Sequence, residues 1–288
     1  LAGMLLVLGN LVFSGPNSRE SAREAEQTKE GLYLSDCLRI AGSSSMERYV
    51  SALAEGFMDN YPEVEVTIQF TGSSAGIAAV IGGTADIGLS SRDLTEEERA
   101  QGAVENPAGL DGIAVCANSA NGVEGLTGKQ LAEIYTGGIY HWRELGGNDV
   151  PVVVIGREAG SGTRDAFEKF LKADGSCVYT NELDSTGAVL ARILSTPGAV
   201  GYASLEAADR VRNRAWEKEQ SELTILSLDG AEPSLENITD GTYPLNRPLF
   251  MVTKGETALL SPLVQQWFAY IYGEEGRAVR ERLGIAGQ

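Results

Sequence analysis

The chain has 288 residues, a formal net charge of -17, 43% hydrophobic residues and 22% charged ones. That length buries a full core, as one large or two smaller domains, and the composition is that of an ordinary globular protein. The charge excludes nucleic acid as a partner, which would demand clustered Lys and Arg, but leaves a small anion open, because a few aimed N–H groups in a dry cleft outweigh diffuse, screened surface charge.

Leu1 to Phe13 reads LAGMLLVLGNLVF, too short to span a bilayer comfortably, and a polar run to Glu30 follows. This reads as the tail of a signal peptide plus a linker, or as an anchor. Either places the rest of the chain outside the cytoplasm, so residues 1–31 are set aside from the fold. Cys37, Cys116 and Cys177 are far apart and lack C-x-x-C spacing, and His141 is the one histidine. No metal set follows from them; a single disulfide stays open.

Leu38 to Ala41 predicts a strand, followed by the loop Gly42-Ser43-Ser44-Ser45 and a helix with the one-sided stripe Met46, Val50, Leu53, Ala54, Phe57 and Met58. Asn60-Tyr61-Pro62 stops it. Val64, Val66, Ile68 and Phe70 alternate with polar residues as a strand does; Thr71-Gly72-Ser73-Ser74-Ala75-Gly76 then opens a short helix. Ala85 to Leu89 predicts a strand ending in Ser90-Ser91-Arg92-Asp93. Thr95 with Glu98 and Thr127 with Gln130 are capping boxes that start helices. Gly112 to Ala117 reads as a strand and 137–147 as a loop around His141 and Trp142.

Val152 to Leu171 is the most informative stretch: a four-residue apolar run, a loop with Arg157, Gly160, Ser161, Gly162 and Thr163, then a helical pattern of Ala166, Phe167, Phe170 and Leu171. Strand, Gly-Ser loop and helix N-terminus make an anion site, since the first helical N–H groups lack intrahelical partners and carry partial positive charge. Arg157 adds a guanidinium fork that suits phosphate or carboxylate. No nucleotide signature is present: the second glycine of a P-loop counted from Gly156 is Ser161, no lysine follows, and Asp165 stands where a G-x-G-x-x-G from Gly160 needs glycine.

Further on, Thr186 to Leu194 predicts a helix, Ala199 to Tyr202 a strand, 204–220 a charged surface helix and loop, Leu223 to Leu228 a strand, and Glu232 to Gly241 a loop. Pro248 to Val252 predicts a strand, and Pro262 to Ile271 and Glu274 to Leu283 predict helices. Trp267, Phe268, Tyr270 and Tyr272 are expected in the core. Three Ser- and Gly-rich loops, each after a strand and each opening a helix, converge on one crevice in an open α/β sheet.

Gly72-Ser73-Ser74-Ala75-Gly76 also matches G-x-S-x-G, the context of a hydrolase nucleophile at Ser74. The partner would have to be His141, which lies mid-chain rather than near the end. No close pair of carboxylates is identifiable for acid/base work. Arg92 has an alternative place as an ion-pair partner of Asp93 or Glu96, Arg164 as a partner of Glu168 one turn on, and Glu158 as an arginine-orienting or surface group.

With all these loops in view, the chain resembles the periplasmic-type phosphate-binding proteins, the substrate-binding components of phosphate ABC importers. The matching pieces are IAGSSS at 40–45, FTGSSAG at 70–76, ADIGLSSRDLTEEE at 85–98, GREAGSGTRDAF at 156–167, VGYASL at 200–205 and YPLNRPLFMVTKG at 243–255. The resemblance implies an α/β, type II periplasmic-binding-protein fold of two lobes joined by two crossing strands near 112–118 and 247–253, with the ligand cleft between them. Lobe one would hold 32–116 and 246–288, lobe two 117–245. It implies a non-enzymatic, extracytoplasmic monomer that binds inorganic phosphate and delivers it to a membrane permease, with no cofactor and no metal.

Residue by residue, the ligand contacts implied are Ser44 flanked by Ser43 and Ser45, then Ser73, Arg157, and Gly160, Ser161, Gly162 and Thr163. At the position where some members carry a proton-accepting aspartate stands Ser91, followed by Arg92 and Asp93, which resembles the Gram-positive branch, as does Arg164. Phosphate near neutral pH carries a proton and sulfate does not, so a carboxylate acceptor separates them; a serine hydroxyl can accept or donate. Ser91 or Asp93 is expected to take that proton. Another oxyanion such as sulfate or molybdate, a small carboxylate, or a sensing role stands as the alternative.

Overall fold

The computed structural model describes residues 37–216 and 222–287. The leader and linker read at 1–31 lie outside the described residues, as do 217–221 of the charged segment.

Ten strands form one mixed sheet. Three of them, β1 (Cys37–Gly42), β2 (Glu65–Gln69) and β3 (Ile87–Ser90), run parallel in the order β2-β1-β3. β2 lies at the edge with Glu65, Thr67 and Gln69 exposed, as its alternation requires; β3 is buried throughout. The long strand β4 (Ala103–Asn118) lies two places beyond β3. It is followed by the short β5 (Gly125–Leu126), then β6 (Val153–Arg157), β7 (Asn181–Leu183), β8 (Ala199–Ser204), β9 (Leu223–Leu228) and β10 (Asn246–Lys254). β10 pairs antiparallel with both β3 and β4; beyond β4 the order is β8-β6-β7, with β6 parallel to both neighbours.

Two large apolar cores flank this sheet. One collects Leu38, Ile40, Phe57, Ala108, Met251 and Trp267; the other collects Ile113–Ala117, Trp142, Phe167, Val200 and Tyr243. β4 runs from the first core into the second, with β10 beside it. Burying each large side chain of this kind contributes roughly 2–3 kcal/mol before entropy is counted. Phe167 stacks on Tyr202 with centroids 4.1 Å apart, and Phe57 meets Trp267 edge-on at 5.2 Å. The three thiols are free, and burial pushes Cys116 up to about 12, so it behaves as a small apolar side chain.

The helices follow their caps. α1 (Glu47–Asn60), entered through a 3₁₀ turn at Ser44–Met46, buries Tyr49, Val50, Leu53, Ala54 and Phe57. α2 (Ser73–Ile81) starts directly at the second serine loop. α3 (Glu96–Ala100) and α4 (Gly128–Tyr135) carry both expected capping boxes, in which Thr95 Oγ1 accepts from Glu98 N and Thr127 Oγ1 from Gln130 N, each at 3.2 Å. α5 (Gly162–Leu171), α6 (Thr186–Ser195) and α7 (Leu205–Trp216) follow, then α8 (Leu235–Thr239), α9 (Pro262–Tyr272) and α10 (Glu274–Arg282).

Three expectations are corrected. The loop at 232–241 contains α8, capped by Ser234, whose Oγ accepts from Asn237 N. Tyr272 is 48% exposed, because it falls at the end of α9 where the apolar stripe has turned away from the core. The strand at 112–117 is only the end of β4, which begins at Ala103 and passes through Pro107. A register shift opposite Leu249 and Phe250 makes room there, the bulge context in which a strand accepts proline.

Candidate functional site

The carboxyl ends of β1, β2, β3, β6 and β7 deliver the five loops that begin at Ser43, Phe70, Ser91, Glu158 and Asp184. Backbone approach is close. Gly42 O accepts from both Thr71 N and Gly72 N at 2.9 Å, and Ser43 N donates to Leu89 O at 2.9 Å. Gly76 lies against the Ala41 and Gly42 backbone, where a Cβ would stand 2.4 Å from Ala41 O. This contact brings the start of α2 under the end of β1.

Four hydroxyls form a chain. Ser45 and Ser43 Oγ are 2.9 Å apart, Ser43 and Ser91 Oγ 2.9 Å, and Ser91 and Ser73 Oγ 3.4 Å. Ser43, Ser73 and Ser91 are buried. Each hydroxyl donates once and accepts twice, so the chain can reverse its direction as a unit. Ser91 N also donates to Ser73 Oγ at 3.2 Å.

Across from this chain stands the loop between β6 and α5. Ser161 is the N-cap of α5, its Oγ accepting from Arg164 N at 3.3 Å, so its own proton is left to donate. Gly162 sits against the serines: a Cβ there would lie 2.6 Å from Ser73 Oγ and 2.7 Å from Ser91 Oγ. Ser74 N donates to Gly160 O at 3.1 Å. Thr163 Oγ1 is buried with no hydrogen-bond partner. Ser44 meets Thr186, the first residue of α6: Thr186 N donates to Ser44 Oγ at 3.2 Å, and the two hydroxyls are 3.4 Å apart. Thr186 escaped the sequence reading, although Ser185 and Thr186 before an apolar helix repeat the pattern of the other loops; Ser185 Oγ caps α6 by accepting from Ala188 N.

Arg157 is 2% exposed and belongs to the cluster, but its role differs from the sequence expectation. Its fork is taken by Glu158: Nε donates to Oε2 at 2.9 Å and Nη2 to Oε1 at 2.8 Å. Nε and Nη2 also reach the carbonyls of Leu183 and Asp184. Nη1 donates to Thr186 Oγ1 at 3.3 Å and keeps a second N–H bond. Glu158 is therefore an arginine-orienting group, and Arg157 offers one nitrogen rather than a full fork.

The other expected residues fall outside this cluster. Arg92 is spent at its edge: it donates to Glu98 at 2.7 and 2.9 Å, to Asp93 O at 2.8 Å and to Ser74 Oγ at 3.1 Å. The Arg92 guanidinium holds the Glu98 carboxyl below its ordinary range. Asp93 is exposed, so it cannot take a proton from a buried ligand. Arg164 pairs with Glu168 as its spacing suggests, at 2.7 Å, and also reaches Glu182 and Arg157 O. The Ser74 hydroxyl faces the Arg92 guanidinium, which donates and cannot remove a proton, while His141 Nε2 lies 3.4 Å from Asp149 in another loop. Among the described residues, the Ser74 hydroxyl has Arg92 and no base as its side-chain partner.

At the surface, Arg48 on α1 pairs with Glu206 on α7.

Residues 17–275 match the PBP superfamily domain. A phosphate-binding protein PstS of Bacillus subtilis is 31% identical over 93% of this chain and 83% of its own length. Among solved structures, a putative phosphate ABC transporter substrate-binding protein with bound phosphate from Clostridium perfringens superposes with a TM-score of 0.78 and 33% identity, covering 88% of this chain and all of that one. An ABC-type phosphate transport receptor from Vibrio cholerae gives 0.69 and 30%, with the same two coverages.

Proposed function

We propose, from the premise that this chain belongs to the PBP superfamily and within it to the PstS-type phosphate-binding proteins, that it captures inorganic phosphate outside the cytoplasm for an ABC importer. The family is one of solute-binding proteins rather than an enzyme class. One observation supports this reading above the rest: buried hydroxyls of Ser43, Ser44, Ser73, Ser91, Ser161 and Thr163 surround the first turns of α2, α5 and α6, with Arg157 beside them. Such a set gives a tetrahedral oxyanion donors on every side and discharges its charge on helix N-termini and one guanidinium.

The reading extends to the architecture. β4 and β10 are the crossing strands; of the described residues, lobe one comprises 37–116 and 246–287 and lobe two 117–245, and the two cores meet along β4. Ligand closes one lobe on the other about these strands. The partner is a membrane permease, the protein is monomeric, and it catalyses no reaction. The Ser45–Ser43–Ser91–Ser73 chain takes the proton of monohydrogen phosphate by turning an acceptor lone pair towards it.

Titration calorimetry with phosphate and then sulfate, at pH 6 and pH 8, tests this. Phosphate heat with a 1:1 endpoint supports the reading; comparable sulfate binding retains the clamp and changes the ligand; silence from both overturns it. Arg157→Ala leaves Glu158 without its cation beside an incoming anion, so affinity should fall by at least about 100-fold, several kcal/mol.

A further inference from the structure

We infer that Arg247 is a second cationic donor to the bound anion, held in place by Asp111 on the neighbouring strand; this rests on the phosphate-binding reading above. Arg247 lies on β10 directly opposite Asp111 on β4, in the two strands that pass between the cores. Its side chain is fully buried, and only Nη2 has a protein partner, donating to Asp111 Oδ2 at 2.8 Å. Nε and Nη1 are buried with no partner at all.

An arginine in that state is costly. Leaving buried donors of a charged group unsatisfied costs more than leaving those of a neutral one, and folded proteins retain such groups where something accepts from them. A bound anion would supply that acceptor. α5, which opens with Gly162 and Thr163, packs against β10. Thr163 Oγ1, the other orphan in this region, is itself a donor of the proposed site. The Arg157 charge acts on Arg247 as well: after burial, it is what depresses the basicity of Arg247, against the opposing pull of Asp111. The two guanidiniums therefore share one neighbourhood.

The arrangement also answers a deficit. Arg157 has spent its fork on Glu158, so a dianion would find one nitrogen there. Nε or Nη1 of Arg247 supplies a further N–H bond, because the Asp111 contact holds the guanidinium through Nη2 and leaves both of them free. Since Arg247 and Asp111 sit on the crossing strands, the anion would touch both the closing lobes and the hinge.

The test compares native protein with Arg247→Lys and with the double variant Asp111→Asn/Arg247→Gln, by phosphate calorimetry and by thermal unfolding with and without phosphate. The double variant removes both buried charges together, so it avoids the stranded carboxylate that would unfold Arg247→Gln alone. The inference expects affinity about 10-fold weaker in Arg247→Lys and about 100-fold weaker in the double variant, with the phosphate-induced rise in Tm shrinking in step. A merely structural cross-strand pair would lower the ligand-free Tm and leave affinity within about twofold of native; that result overturns the inference and spares the phosphate reading. If native protein itself gives no phosphate heat, both fall together.

Discussion

Gly162→Ala separates the cost of closing the site from the cost of folding. The added Cβ would stand 2.6 Å from Ser73 Oγ, 2.7 Å from Ser91 Oγ and 2.9 Å from the Ser91 carbonyl carbon. The first two contacts are hydroxyls, but the third is backbone, so side-chain rotation cannot relieve all of them. The loop carrying Gly162 must back away by roughly 0.5–1 Å to reach ordinary van der Waals contact near 3.5 Å. The bonds between the halves at Ser44–Thr186 and Ser74–Gly160 already measure 3.1–3.4 Å, and that displacement takes them past useful length. Losing them, at about 1 kcal/mol each, with looser contacts to the anion, weakens binding by about 2–3 kcal/mol, or some 30- to 150-fold. Gly162 is the first residue of α5 and has no left-handed φ, so alanine suits the helix; with the lobes parted in the ligand-free protein, as the hinge reading requires, its Cβ meets neither serine and Tm should stay within a degree or two of native. Calorimetry and thermal unfolding on the same samples read both. Gly76→Ala is the contrast: its Cβ would meet Ala41 O at 2.4 Å inside one half, lowering Tm with or without phosphate. Phosphate affinity within threefold of native in Gly162→Ala would refute the reasoning.

Arg48→Gln and Glu206→Gln each remove the ion pair between α1 and α7. Arg48 is half exposed, so the pair contributes less than about 1 kcal/mol; phosphate should leave about two- to fivefold faster in stopped flow, with the difference vanishing in 1 M salt. An unchanged dissociation rate at low salt would show that the pair does not hold the halves together. A pH dependence follows from Asp111, whose carboxyl burial pushes up to about 6 from 3.8 against the pull of Arg247, with Glu206 pushing the same way and the Gly112 N–H opposing. The folded state therefore binds this proton more tightly than the unfolded chain. The contribution to stability grows as pH falls from above 6 towards 4 and is lost as pH rises through 6, by on the order of 1–2 kcal/mol. Urea unfolding of native protein and Asp111→Asn at pH 4.5, 5.5 and 7 should show that slope in the native protein alone; parallel curves would sink the assignment.

What the sequence revealed, and what it hid, divides by the range of the interaction. The capping boxes at Thr95 and Thr127 and the stripe of α1 are written within one or two turns, and each appears where its spacing put it. The hydroxyl loops were legible for the same reason, because a strand, glycines and serines, and a helix start lie consecutively. The occupancy of a hydrogen-bond donor was not. Arg157 and Glu158 are neighbours in sequence, yet only the folded rotamers show that one consumes the other's fork. Arg92 was expected at the ligand or paired with Asp93 or Glu96, and the fold pairs it with Glu98 instead. Thr186 comes to Ser44 from 142 positions away. Arg247 drew no reading of its own, because its pairing with Asp111 joins two strands 136 positions apart.

The same distinction explains how a chain of net charge -17 can hold an anion. Its carboxylates are spread over a surface where salt screens each beyond about 8 Å. At the site, by contrast, the two carboxylates nearest the guanidiniums are each committed to one, Glu158 to Arg157 and Asp111 to Arg247. Their charge is answered before a ligand arrives, and Arg157 Nη1 and Arg247 Nε and Nη1 are not consumed by those carboxylates. Affinity then depends on how many donors are aimed and dry rather than on the sum of charges. Reversing surface charge should accordingly alter how fast the anion arrives far more than how firmly it is held, whereas one methyl group at Gly162 acts on the holding itself.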